Sequence, residues 1–408
     1  MALNMEHGSE IKGRLYPINS ITSAIDLDRV QNHSLGISQP TEDIYEEGRE
    51  NKVCSDKDII EATASFTQLE YGEIDTWLAL ANLSAEPGAG ISLTNFDDAR
   101  TTVAVFAKSL ASTTHLKTDL MEKMSIASIG LNIADGEARL ERTIELEGDF
   151  YKGLQGTNKC YIRKTDTCSS GTTDYDITLS DPTPVEDPNN SGAYLLRVTR
   201  IRSGVATELV LTDDYTYSGG TLTIATANTD DEFTVEYTAG DFEGSTNPLA
   251  DNDSDLCFIK ADSVSVILND GSTDVTLDKL TSLSITATFN RNDEAVIGTR
   301  EKINRAVSSR DVSISLSGRV KNNTLQEILM GQAGVDHGII DPDEFIANAS
   351  LTVKIYSNSN KTTFKMGFKV TDLTFTSMTL DGTANDFSSE SIDFESDNLL
   401  ITAVEGNL

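Results

Sequence analysis

The sequence predicts a mainly β protein built from β-sandwich or barrel modules. Two such modules stand in tandem, each with a short helix, and a smaller β-sandwich is inserted between them. Three observations carry this reading. Apolar and polar residues alternate through most of the chain. The order of elements in the first part returns roughly 250 residues later. The segment between the two copies is dense in turn formers and short alternating runs.

The first copy opens with an expected strand in "SITSAIDLDRV", followed by the charged connector "TEDIYEEGREN". Next comes a strand with Ala62, Ala64 and Phe66 on one face. Helical spacing then sets in, and Ile74, Trp77 and Leu78 share a helix face. "TTVAVFAKSL" is a further strand, and two alternating runs around Asp135-Gly136 read as a hairpin. The second copy repeats this order. "LTSLSITATFN" precedes the connector "NDEAVIGTREKIN", and Val312, Ile314 and Leu316 then alternate. Leu325, Ile328 and Leu329 fall on a helix that opens with the capping-box pattern Thr324-x-x-Glu327. "LTVKIYSNSN" and a hairpin around Asp381-Gly382 complete it. The helix and the connector fall at matching places, which alternation alone does not explain, so the pattern reads as an internal duplication.

The expected boundaries are 1–160 for the first module, 161–256 for the insert and 257–408 for the second module. Within the insert, "DDYTYSGGTLTI" reads as strand, Gly-Gly turn, strand. "DDEFTVEYTA" places Phe233, Val235 and Tyr237 on one face. Short strands punctuated this often are expected to form a sandwich of immunoglobulin-like style, although the Cys…Trp…Cys signature is missing.

Composition bounds the function. The 408 residues carry 65 Asp and Glu against 32 Lys and Arg, a formal charge of −33. Such a chain is ill suited to grip phosphate backbones, which needs clustered Lys and Arg. Cys54, Cys160, Cys168 and Cys257 match no zinc spacing and are expected to be reduced, structural thiols. The N-terminal residues have neither a basic nor an apolar signal region, and no apolar run approaches a membrane span, so synthesis in a cytoplasm and no membrane partner are expected.

Catalytic patterns are missing as well. His7, His33, His115 and His337 fit no HExxH or HxH spacing, and there is no GxSxG, GxGxxG or P-loop. Asp251, Asp253, Asp255 and Asp262 mimic ligand positions of a calcium loop. Leu256 stands where that loop needs glycine, so an acidic linker is the better reading. No enzyme activity, metal or cofactor is expected.

The two connectors share two acids, an apolar pair, a glycine and Arg-Glu. They are Glu42, Asp43, Gly48, Arg49 and Glu50 in the first copy, and Asp293, Glu294, Gly298, Arg300, Glu301 and Lys302 in the second. The glycines suit turns that need a positive φ. The charged residues are either solvated or form ion pairs between subunits. Loops of this length are often functional.

The order of strand, long charged loop, strand, short helix, strand and hairpin resembles the tail tube proteins of long-tailed bacteriophages. It is carried by "SITATFNRNDEAVIGTREKINRAVSSRDVSISLSGRVKNNTLQEILMG" and "MGFKVTDLTFTSMTLDGTANDFSSESIDFES". The duplicated form is similar to the major tail proteins of T5-like siphophages. The resemblance implies a virion protein, made in the bacterial host cytoplasm, that stacks as trimeric, pseudo-hexameric rings into a tube. It implies self-association, contacts with tape measure and tail terminator or tip proteins, and a lumen through which genomic DNA passes without specific binding. The insert would decorate the tube exterior. The inner tube of a contractile tail or injection machine, and a capsid or surface-layer decoration protein, are the alternatives.

Overall fold

The computed structural model describes residues 11–17, 25–27, 30–38, 41–44, 54–57, 61–108, 115–133, 139–148, 150–155, 160–179, 184, 195–203, 205–239, 258–269, 274–277, 280–295, 302–319, 349–381 and 389–408. They are overwhelmingly β, as the alternating sequence predicts. The chain divides into two compact units that do not follow chain order. One comprises Met1–Asp28, Arg100–Met124 and Gly148–Ser254; the other comprises Arg29–Ala99, Ser125–Glu147 and Asp255–Leu408.

The first copy contributes β1 (Ile11–Pro17), β2 (Ile25–Leu27), β3 (Val30–Ser38), β4 (Thr41–Ile44), β5 (Cys54–Lys57) and β6 (Glu61–Leu69). Helix α1 (Asp75–Leu80) follows, then β7 (Ile91–Ser92), β8 (Thr101–Lys108), β9 (His115–Ile133), β10 (Glu141–Gly148) and β11 (Phe150–Gln155). The insert holds β12 (Cys160–Thr167), β13 (Thr172–Thr178), β14 (Leu195–Arg202), β15 (Val205–Glu208), β16 (Tyr215–Ser218), β17 (Thr221–Ala227) and β18 (Glu232–Ala239). The second copy holds β19 (Val264–Asn269), β20 (Asp274–Thr276), β21 (Leu280–Ala295), β22 (Lys302–Arg319), β23 (Ala349–Tyr356), β24 (Phe364–Asp381), β25 (Ser389–Ser396) and β26 (Asn398–Thr402).

Strand pairing repeats between the copies. The order β2-β1-β8-β9-β11 in the first is matched by β20-β19-β23-β24-β26 in the second. The order β3-β6-β10-β9 is matched by β21-β22-β25-β24. Irregularities recur as well. The register shifts between Val30 and Asn32, and again between Leu280 and Ser282. It shifts between Thr101 and Val103 and at Ala107/Lys108, and correspondingly between Ala349 and Leu351 and at Ile355/Tyr356. Ala127 of β9 is skipped in pairing with β10, and Thr376 of β24 is skipped in pairing with β25. Lys123 and Asp372, each just before that bulge, share a positive φ of 53° and 56°. Bulges re-aim a strand. In β24, residues up to 373 pair with β23 and residues from 374 pair with β25.

Several expectations are corrected. In the first copy, the strand that pairs ahead of Ala62, Ala64 and Phe66 is β3, "VQNHSLGIS"; of "SITSAIDLDRV" only Ile25–Leu27 and Val30 are described strand. Its partner ladder needs only backbone N–H and C=O groups, so polar β3 pairs without the apolar signal that the sequence pattern follows. Helix α1 buries Thr76, Trp77, Ala79 and Leu80, while Ile74 is its N-cap and Leu78 is half-buried. Trp77 decides the rotation, because its ring packs edge-on against Phe368 at 5.5 Å. The expected second helix at 324–329 lies outside the described residues, as do Gly136 and Gly382 of the hairpin turns and Asp251, Asp253 and Asp255.

In the second unit, the eight strands β3-β6-β10-β9-β21-β22-β25-β24 form one sheet. Its apolar face carries Phe66, Ile144, Ile129, Ile285, Ile314 and Phe394, all buried. Trp77, Phe368, Leu399 and Ile401 close over Ile129, Leu131 and Ile285 around a small gap. Each such side chain contributes roughly 1.5–3 kcal/mol by leaving water.

A buried ion pair fixes one corner of this core. The Arg142 guanidinium lies 3.6 Å from the Glu70 carboxylate, donates to Gln68 Oε1 at 2.9 Å and stacks 4.5 Å from the Tyr71 ring. Glu70 in turn accepts the backbone N–H groups of Tyr71 and Gly72. At the corresponding place in the second copy stands Glu390, which, like Arg142, precedes its strand's first buried apolar residue. It is 5% exposed, and burial raises its pKa.

In the first unit the insert is a sandwich of a four-stranded sheet, β12-β18-β14-β15, and a three-stranded sheet, β13-β17-β16. Phe233, Val235 and Tyr237 face inward together, as their spacing predicts. Their cluster also takes in Tyr16, Phe106 and Leu120 from β1, β8 and β9. The β16–β17 turn is Gly219-Gly220, with φ of 60° and 87°. A two-residue hairpin with both φ positive explains why two glycines stand there. Cys168 is a free, buried thiol in this core.

Candidate functional surface

The eight-stranded sheet has a second face, and its composition differs sharply from the first. Cross-strand partners define it. Gly36 faces Thr63 and Ser38 faces Glu61. Glu141, Thr143 and Glu145 face Asn132, Gly130 and Ser128. Ser284, Thr286 and Thr288 face those same β9 residues on one side and Ser315, Ser313 and Asp311 on the other. Ser313, Ser315 and Ser317 then face Glu395, Asp393 and Ser391. This face is hydroxyl, amide, glycine and carboxylate. Among the residues whose side chains are described, it holds no lysine or arginine; by register, Arg319 at the end of β22, opposite Ser389, continues the Ser313, Ser315, Ser317 row.

Its carboxylates take hydrogen bonds from neutral donors on neighbouring strands. Ser128 Oγ donates to Glu145 Oε2 at 2.7 Å, and Ser377 Oγ donates to Asp393 Oδ2 at 2.6 Å. Asn290 Nδ2 donates to Asp311 Oδ2, and Ser38 Oγ to Glu61 Oε2 at 3.3 Å. These bonds hold the carboxylates in place, and a hydroxyl or amide donor does not itself neutralise a carboxylate. Short hydroxyl side chains elsewhere keep the face smooth.

Two arginines of β21 and β22, Arg291 and Arg310, reach the turn at 93–97 instead. Arg310 sits opposite Phe289, at an apolar-face position, and makes a two-pronged ion pair with Asp97, its Nε 2.8 Å from Oδ1. Arg291 donates to the backbone carbonyls of Asp97 at 2.7 Å, Ile126 at 3.2 Å and Phe96 at 3.3 Å. The two arginines clamp the base of the β21–β22 hairpin to the turn at Leu93–Phe96. Sequence reading missed this clamp. The available signal was Arg310 interrupting the apolar alternation one step before Val312.

The connectors are corrected here. They are expected to be loops, but Thr41–Ile44 of the first is paired strand, as are residues 292–295 and 302–304 of the second. Glu42 and Asp43 lie on β4, opposite Asp56 and Ser55 of β5. Asp293 and Glu294 lie on β21, opposite Arg305 and Asn304, and Lys302 opens β22 opposite Ala295. Charge and a glycine argue against a core strand, yet a ladder is made by backbone groups and accepts such residues. Gly48, Arg49, Glu50, Gly298, Arg300 and Glu301 lie outside the described residues.

The two halves of the sheet are joined by β9 and β21, whose register runs from Ile133 opposite Leu283 to Ser128 opposite Thr288. At the middle of the joint Gly130 lies opposite Thr286. A Cβ on Gly130 would stand 3.1 Å from the Ile285 carbonyl and 3.3 Å from Thr286 Oγ1, so the close approach depends on glycine. Among the described residues, the sheet ends in two unpaired edges. β3 pairs on one side only, with β6, and residues 374–381 of β24 pair only with β25.

No protein-family model and no curated protein matches this sequence. Among solved structures, the tube-terminating cap of the anti-feeding prophage aligns at 17% identity and a TM-score of 0.26, over 38% of this chain and 97% of that one. A sheath–tube complex of the extracellular contractile injection system PVC, in its extended state, aligns at 17% identity and 0.27, over 40% and 100%. The anti-feeding prophage baseplate aligns at 11% and 0.25, over 38% and 98%. Scores this low carry no conclusion about the chain.

Proposed function

We propose that the chain is a structural subunit of a tail tube, of a bacteriophage or a phage-tail-like particle, and that it polymerises as stacked rings of three copies. The observation that supports this best is the eight-stranded sheet. One face is a packed core. The other is polar, carries carboxylates and, where described, lacks cations. A wall of that composition suits a channel for nucleic acid. Over the described side chains phosphates meet no Lys or Arg to exchange for counterions, and the carboxylates repel them, so the polymer slides without adhering. The two halves of the sheet let one chain fill two equivalent places in a ring, which makes three copies pseudo-hexameric. The role is structural rather than catalytic, and the expected partners beyond further copies are tape measure and tail terminator or tip proteins.

Electron microscopy of the purified chain tests the reading. Tubes or stacked rings with an axial channel are expected. A chain that stays monomeric across concentration and salt, or that forms flat lattices or binds only to a capsid surface, overturns it.

A further inference from the structure

We infer that the open edge of β24 pairs with the open edge of β3 on the next copy, in the register that already joins β9 to β21 inside the chain. The inference rests on the tube reading for its biological sense, but on the sheet alone for its geometry.

The matching irregularities fix which residues correspond. Ala127 and Thr376 occupy the same bulge, so Ile129 and Gly130 correspond to Met378 and Thr379. The shifts at Val30/Asn32 and Leu280/Ser282 coincide, so Gly36 and Ile37 correspond to Thr286 and Ala287. The joint inside the chain sets Ile129 opposite Ala287 and Gly130 opposite Thr286. Carried to the open edges, it sets Met378 opposite Ile37, Thr379 opposite Gly36 and Ser377 opposite Ser38 of the neighbouring copy.

Three features of the edges fit that partner. The first is reciprocal size. The inner joint has glycine on the β9 side and threonine on the β21 side. The outer one has threonine on the β24 side and glycine on the β3 side, so each holds one of each. The second is an apolar residue left in water. Ala287 is 1% exposed in the inner joint, whereas Ile37, which lies opposite buried Ala62, is 49% exposed. The third is the lack of guards. Solitary edge strands are commonly protected by Lys or Pro, and neither β3 nor residues 374–381 contains one. The pairing is head to tail, so it propagates until the rotation closes a ring. Every copy adds the same eight strands to one continuous wall.

Disulfide trapping tests the register. Ile37→Cys and Met378→Cys are combined in one full-length chain and treated with a mild copper(II) oxidant, beside the parent with its native cysteines. A non-reducing gel should show a ladder of linked copies, at least ten-fold above the parent. Ile37→Cys with Leu380→Cys, two residues out of register, should give no such gain. If the first variant folds poorly, Ser38→Cys with Ser377→Cys probes the same register from the polar face. Tubes that form without a ladder for either in-register pair overturn the edge pairing and leave the tube reading standing. A ladder without tubes or rings by microscopy does the reverse. A chain that shows neither sinks both.

Discussion

The strand pair β9–β21 and the pair formed by β24 and β3 are built from the same two elements, once joined and once left open. The joined pair buries Ala287 and brings Gly130 against Thr286. The open pair leaves Ile37 half in water. On the edge pairing proposed above, the inner joint is the template for contact between copies. A duplicated module that can pair with itself in sequence can also pair with itself in space. The two copies are not interchangeable inside, however. Arg142 is buried in one where Glu390 is buried in the other.

The largest expected effect separates the joined edge from the open one. Ala287→Lys places an ammonium in the core and should destabilise the chain on the order of 4–5 kcal/mol. Ile37→Lys should change monomer stability by no more than about 0.5 kcal/mol, yet stop assembly. Urea unfolding and light scattering read the two effects. Equal loss of stability at both sites would break the comparison.

The buried charges come next. Arg142→Ala leaves Glu70 buried without its guanidinium and should cost about 3–5 kcal/mol in denaturant unfolding. Glu390 acts in the opposite sense. Burial raises its folded pKa above the unfolded value, so protonated Glu390 is tolerated at low pH and stability is lost as pH rises through the folded pKa. Glu390→Gln should therefore gain on the parent at pH 7 and match it near pH 4. A gain independent of pH would show that its charge is not what matters.

The smallest effect tests the close approach. Gly130→Ala must push against a carbonyl and should cost about 1–3 kcal/mol. The Cβ added by Gly36→Ala meets Thr63 Oγ1 at 2.5 Å, a side-chain atom that can rotate away, so the monomer should lose less. The ratio sharpens when Gly36→Ala is measured in assembled material, where the neighbour's Thr379 would close on it.

Much of the fold was legible in alternation. Phe233, Val235 and Tyr237, the Gly219-Gly220 turn, and the row Val312, Ile314, Leu316 all stand where period two places them. The strand β3 was harder to place, since "VQNHSLGIS" has too few apolar residues to announce an edge. The connectors were misjudged as loops because ladder hydrogen bonds are made by the backbone and leave no mark on residue type. The polar face itself was hidden in plain view. Every second residue of eight separate strands contributes to it, and no local window reveals that they align.

The sequence by itself determined the β class, the duplication and the excess of acid, because periodicity and charge are local properties that survive without neighbours. Only the tertiary structure decided which carboxylates share a face, which arginines clamp the turn at Asp97, and which two edges, among the described residues, are paired on one side only. Those are matters of register. Register is set by pairing between residues far apart in the chain, with bulges at Ala127 and Thr376 shifting it by one.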